Sequence, residues 1–244
     1  MESIEEKSGI VTAGSPGARV RVLLPGVGER ELYELAELLE TMIAADGKTP
    51  ADGEENAAAP GRDFLLIGFP VDDWNRELSP WPAPPVFGSE PFSGCAGATL
   101  ARIASFLSED REKNAALSPE YLIAGYSLAG LFSLYAVSVS DVFSGAAAVS
   151  PSVWFPGWLD WSASHPPRCG HVYLSLGDRE EKTKNPVLRT VGDAIRREKE
   201  LLDSLGIPSV LEWNPGNHFT DCNLRLAKGI RVALRASDVF PAGK

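Results

Sequence analysis

Residues 121–138 read YLIAGYSLAGLFSLYAVS, and this stretch decides the architecture. Tyr121 to Ala124 form a short apolar run of strand type, and residues 128–138 carry apolar side chains at helical spacing. Between them Gly125, Ala129 and Gly130 flank one serine, Ser127. A strand that turns into a helix this sharply forces unfavourable backbone angles on the corner residue. Side chains two positions before and after the corner would collide, so glycine or alanine is needed there. This is the pattern of a nucleophile elbow. The turn lifts the Ser127 hydroxyl above the sheet edge, at a helix N-terminus whose positive end favours a developing anion. The Leu128 amide lies in the first helical turn with no helical acceptor, which suits it to an oxyanion hole. The pattern departs from G-x-S-x-G because Ala129 fills the last position and Gly130 follows it. A serine that merely caps a core helix is the alternative reading.

Outward from this segment, apolar runs and helical patterns alternate. Residues 19–24 (RVRVLL) and 63–69 (DFLLIGF) read as buried strands, as do 145–149, 172–176 and 209–213. Residues 29–45 have Leu32, Leu35, Leu39 and Ile43 at helical spacing, and 96–107, 186–205 and 222–234 also read as helices. This alternation predicts an α/β protein with a mostly parallel central sheet and helices on both faces, one domain over 1–244. Residues 47–62 read as an exposed polar loop. Residues 70–94 hold six prolines with Trp74, Trp81, Phe87 and Phe92, and are expected to be an irregular and functional segment. The turn Pro25-Gly26-Val27-Gly28 is a bare G-x-G without the third glycine, which argues against a dinucleotide site.

A serine nucleophile needs a base, and the chain has three histidines. His165 stands in S-H-P-P, a surface-loop composition, and His171 opens a strand, where packing is the ordinary role. His218 lies in a turn-rich loop, Asn214-Pro215-Gly216-Asn217-His218-Phe219, between the last strand and the last helix. That loop reaches the sheet edge where the elbow stands, so His218 is the expected base. An acid should orient the imidazole. The segment Leu176-Gly177-Asp178-Arg179-Glu180-Glu181 follows a strand between Ser127 and His218 in the chain, and by composition Asp178, Glu180 and Glu181 all qualify.

Composition excludes several classes. The formal charge of −10 and pI near 4.9 speak against nucleic acid and against an anionic membrane surface. An acidic N-terminus and the lack of any long apolar run lead to the expectation of a cytoplasmic protein without a secretory signal or membrane helix. Cys95, Cys169 and Cys222 are odd in number and share no metal-ligand spacing, so neither a disulfide framework nor a metal is expected. No cofactor is called for. The surviving readings are a carboxylic ester hydrolase, a thioesterase or serine peptidase, and a hydrolase-like binding protein without catalysis.

GYSLAGLF at 125–132, SLGDREEKTKNP at 175–186, PGNHF at 215–219 and FPVDDWNRELSPWPAP at 69–84 resemble the esterase D-like family of α/β-hydrolases. That family includes feruloyl esterases, S-formylglutathione hydrolases and siderophore esterases, and the resemblance covers roughly residues 63–219. It implies the α/β-hydrolase fold, a small-molecule ester substrate and an acid three residues beyond the strand-ending glycine, which here is Glu180, where many members have Asp. It also implies a second oxyanion donor in the loop after the 63–69 strand, within residues 71–74, with Trp74 foremost. Trp74, Trp81, Trp154 and Trp158 are candidate walls of the substrate pocket, although packing is the commoner role of a tryptophan.

Overall fold

The apolar run before Ser127 is the middle strand of a sheet, because every side chain from Glu120 to Gly125 is buried. The computed structural model describes residues 9–46, 63–86 and 88–239. In chain order its strands and α-helices are β1 (Val11–Gly14), β2 (Val20–Pro25), α1 (Glu29–Asp46), β3 (Phe64–Phe69), α2 (Trp74–Glu77), β4 (Pro82–Ala83), β5 (Phe92–Ser93), α3 (Ala96–Lys113), β6 (Glu120–Tyr126), α4 (Leu128–Val139), β7 (Phe143–Val149), α5 (Trp158–Ser164), β8 (His171–Gly177), α6 (Val191–Ser204), β9 (Ser209–Asn214) and α7 (Cys222–Val239). Seven strands form one sheet in the order β1-β3-β2-β6-β7-β8-β9. Only β1 runs antiparallel, against β3.

Side chains alternate across the sheet. Leu122 and Ala124 join Leu32, Leu35 and Leu39 of α1 and Leu226 and Ile230 of α7 on one face. Tyr121 and Ile123 join Leu100 and Ile103 of α3, Leu131 and Phe132 of α4, and Ile195 of α6 on the other. Each fully buried leucine or isoleucine contributes about 1.5–3 kcal/mol, so the two layers together hold the sheet between helices. The parallel registers Tyr126↔Val149, Val149↔Ser175 and Gly177↔Asn214 bring the C-terminal ends of β6 to β9 to one edge. Loops at that edge are where α/β sheets build sites.

Several elements differ from the sequence reading. β1 is only four residues long, too short for an alternation signal, yet it pairs along β3 from Val11↔Gly68 to Gly14↔Leu65. Residues 70–94 are less irregular than expected, because they hold α2 and the β4–β5 ribbon, and Ser79 Oγ bridges Asn75 O and Gly94 N. The helix expected over 186–205 starts at Val191. Before it, Asn185 Oδ1 accepts the Val187 and Leu188 amides and holds a separate turn. The loop expected at 47–62 lies outside the described residues.

Glu198, on the inner side of α6, is 2% exposed. Its Oε2 accepts from Trp158 Nε1 at 3.0 Å and Ser162 Oγ at 3.1 Å, both on α5. Burial pushes its pKa up from the usual 4.5 to about 7, outweighing those two hydrogen bonds. The folded chain thus holds this proton more tightly than the unfolded chain. The stabilisation is whole below pH 4.5 and is lost as pH rises through 7. Glu198→Gln is neutral at every pH and escapes that loss. From about pH 5.5 to about pH 8.5 the parent should lose about 2 kcal/mol relative to the variant. Urea unfolding at both pH values checks this, and parallel behaviour of the two proteins would exclude a protonated Glu198.

Candidate active site

Ser127 sits at φ 58°, ψ −119°, a conformation that costs a non-glycine residue on the order of 1–3 kcal/mol. The surroundings hold it there. Its amide donates to Val149 O at 3.0 Å, and its carbonyl accepts from Ser152 N at 3.0 Å and Leu131 N at 3.1 Å. A Cβ on Gly125 would stand 2.3 Å from Ala129 O, and one on Gly130 would stand 3.0 Å from Gly125 O. The small residues around the serine are therefore steric necessities.

The structure brings His218 to this serine. His218 Nε2 lies 3.0 Å from Ser127 Oγ, and His218 Nδ1 lies 2.7 Å from Glu180 Oε2. With the hydrogen on Nδ1 donated to the carboxylate, Nε2 is left to accept from the serine hydroxyl. The histidine loop is tied to the acid loop by Gly216 N to Asp178 Oδ1, 2.9 Å, and Arg179 N to Gly216 O, 3.0 Å. Tyr126 OH donates to His218 O at 2.7 Å.

Of the three candidate acids, Glu180 alone reaches the imidazole. Its amide closes a turn on Gly177 O, and its Oε1 accepts from Gly177 N at 2.7 Å, Ser150 Oγ at 2.7 Å and Arg225 Nη2 at 2.7 Å. Burial raises its pKa, but hydrogen bonds from His218, Ser150 and Arg225 more than offset this and hold it at about 2. Glu180 stays a carboxylate. Asp178 serves the loop tie just described, and Glu181 pairs with Arg196 on the surface. His165 caps α5 and stacks on Trp161. His171 packs into the space that Gly145 leaves, and burial lowers its pKa to about 4.

A cavity of about 850 Å³ opens beside Ser127, lined also by Ser150, Trp154, Glu180 and His218 and by Arg179, Lys182 and Lys184. Trp154 is among its lining residues. Trp81 is not: it packs on Phe155, Trp158 and Trp161 and donates Nε1 to Pro156 O at 2.9 Å. Phe219, beside the histidine, is 85% exposed at the cavity.

Strand order bears on the expectation for Trp74. β2, not β3, borders β6, so the loop after β2 adjoins the elbow and the loop after β3 stands one strand, about 4.8 Å, further out. Within residues 71–74 the Asp72 and Asp73 amides are taken by Glu77 Oε1, at 3.0 Å each. Trp74 instead leans its ring over Gly26 and lines a cavity of about 200 Å³ that also touches Ser127, Tyr126 and Cys222. In the β2 loop, Gly26 N is spent on Phe69 O at 2.8 Å, while Val27 N meets Leu24 O only at 3.5 Å. The glycine-rich turn after a strand was the available signal for this loop.

Solved structures share this architecture. An IroE-like serine hydrolase from Shewanella oneidensis has a TM-score of 0.70 at 19% identity, over 93% of this chain and 75% of its own. The siderophore hydrolase EstA from Aspergillus nidulans has a TM-score of 0.63 at 16% identity, over 97% of each chain. The enterobactin esterase FES from Shigella flexneri has a TM-score of 0.59 at 16% identity. That match covers 95% of this chain but 56% of the esterase. The fold is the α/β-hydrolase fold. No family model and no curated protein matches the chain. Among the described residues no helix is long and apolar enough to cross a membrane, and no His, Cys, Asp and Glu side chains cluster to hold a metal ion.

Because a Cβ at position 125 has nowhere to go, Gly125→Ala should cost about 2 kcal/mol or more and lower Tm by roughly 5 °C or more. Ala129→Gly, which restores the commoner motif, should cost about 1 kcal/mol as an ordinary helix substitution. Thermal unfolding of both variants checks the contrast, and equal Tm values would contradict the close approach.

Proposed function

We propose that this chain is a serine esterase that works through an acyl-enzyme on Ser127, with His218 as general base and Glu180 as the orienting carboxylate. The observation that carries the reading is the continuous hydrogen-bond chain from Ser127 Oγ through His218 to Glu180. The strain at Ser127 supports it, since strained backbone concentrates at functional positions. The fold shared with serine hydrolases and siderophore esterases supports it too.

Ser127 Oγ attacks the ester carbonyl carbon while its proton passes to His218 Nε2. The tetrahedral oxyanion is met by the Leu128 amide and, on the reading given by strand order, by an amide of the Val27–Gly28 turn. Collapse breaks the bond to the alcohol oxygen, which takes the proton from the imidazolium. Water then attacks the acyl carbon with His218 again as base, releasing the acid and restoring Ser127. Glu180 holds the ring in place and balances its transient charge without taking a proton, in keeping with its low pKa. Thioesters break at the same carbonyl and belong in the same screen.

The cavity favours an ester that carries negative charge. Arg179, Lys182 and Lys184 line it, and Glu180, the one carboxylate lining it among the described residues, is already balanced by Arg225. Siderophores, on which two of the neighbouring enzymes act, are the first natural compounds to try.

A fluorophosphonate probe should label Ser127 in the parent, and Ser127→Ala should lose both labelling and p-nitrophenyl acetate turnover, the latter on the order of 10³-fold or more. An unlabelled, well-folded parent would instead favour a binding protein. Lys182→Glu with Lys184→Glu should raise KM about tenfold for a carboxylate-bearing ester and leave p-nitrophenyl acetate within about twofold. Equal changes for the two esters would remove the anionic preference.

A further inference from the structure

Arg225 stands in the first turns of α7 and is 1% exposed. Its Nη2 donates to Glu180 Oε1 at 2.7 Å and, in a shorter contact, to Ser150 Oγ. Its Nη1 donates to Asn217 O at 3.2 Å, and its Cζ lies 5.4 Å from the centroid of the Tyr126 ring. These four partners follow or end β8, β7, β9 and β6, four adjacent strands. One guanidinium thus touches every strand end on which the proposed triad is mounted.

We propose that Arg225 is a positioning residue for the reaction: it fixes the carboxylate of Glu180, which in turn holds the His218 ring. The role rests on the serine-hydrolase reading above. The geometry is directional. A carboxylate offers two oxygens, and Arg225, Ser150 and the Gly177 amide all converge on Oε1, which leaves Oε2 turned to His218 Nδ1. A lysine could not do this, because a point charge lacks the planar fork that spans a carboxylate and a carbonyl together. Net stability is a weak reason for an ion pair at this depth. Buried ion pairs are often replaceable by apolar side chains of similar size without loss, so keeping one here calls for another reason. Arg225 does not line the cavity beside Ser127, so its removal should act on turnover and not on substrate binding.

The test is a double-mutant cycle read in p-nitrophenyl acetate hydrolysis, after fluorophosphonate labelling of the parent. Arg225→Met and Glu180→Gln should each lower kcat on the order of 10²-fold, with KM within about threefold. The double variant should be no worse than the worse single one, because both act through the same carboxylate. Arg225→Met leaves a buried carboxylate without its cation. If that variant does not fold, the double variant, which carries neither charge, is compared with Glu180→Gln alone: equal kcat supports the role, and a further tenfold loss overturns it. A folded Arg225→Met with parental kcat, or singles whose losses multiply in the double, would likewise overturn it. Failure of the parent to label would overturn the hydrolase reading and this role with it, whereas a labelled parent beside an unaffected Arg225→Met would overturn this role alone.

Discussion

A carboxylate taken out of water sets the terms for this molecule. The Glu180 side chain is 4% exposed, and an ionised group at that depth needs donors on both oxygens. Four supply them, and each imposes a condition elsewhere. The Gly177 amide can reach Oε1 because glycine has no Cβ, which would stand 2.9 Å from that oxygen. The Ser150 hydroxyl arrives from a residue at φ 44°, just past the end of β7. Arg225 requires α7 to begin where it does, packed on the sheet face opposite α4. His218 requires the loop after β9 to fold back across the acid loop. Burial alone would raise the carboxyl's pKa, and the donors reverse the sign.

The second constraint is strain, and it is borne by an inner strand of the sheet. β6 is paired on both sides, with β2 and with β7, and α4 is buried along most of its length. Strain on the order of 1–3 kcal/mol at Ser127 is small beside what those layers bury. A hydroxyl presented at the tip of a rigid strand keeps its distance to His218 set by backbone, not by a flexible side chain. The proposed chemistry needs that, since a shift of about 1 Å in reacting groups costs heavily in rate.

What could be read in the sequence follows from how local each feature is. The elbow is backbone sterics within six residues, so Gly125, Ser127, Ala129 and Gly130 announced it, and the alternating apolar runs announced a parallel sheet. His218 stood out because its loop joined the last strand to the last helix. The acid was harder: Asp178, Glu180 and Glu181 are alike in composition, and the i to i+3 turn on Gly177 is what separates them in space. An amide role for Trp74 depends on which strand lies beside β6, and strand order is a tertiary fact. For Trp81, residue type predicts burial among aromatics but not the cavity that it faces. Arg225 gave no signal, because an arginine in a helix of mixed charge looks like any solvated residue until the four strand ends are brought around it.

Charge shows the same limit most clearly. A chain of net charge −10 looks unsuited to an anionic ligand. Yet the field in a cleft is set by groups within about a Debye length, some 8–10 Å, and not by the total. Many of the acids sit on helix surfaces, in pairs such as Glu34 with Arg30 and Asp203 with Lys199. At the mouth beside Ser127 the balance reverses. Glu180 is neutralised from below by Arg225, while Arg179, Lys182 and Lys184 face the cavity. Arg225 therefore has two effects from one position: it orients the acid and keeps that acid's charge from cancelling the cations above it. A basic mouth on an acidic chain draws an anion toward the mouth, which turns net charge from an obstacle into a guide.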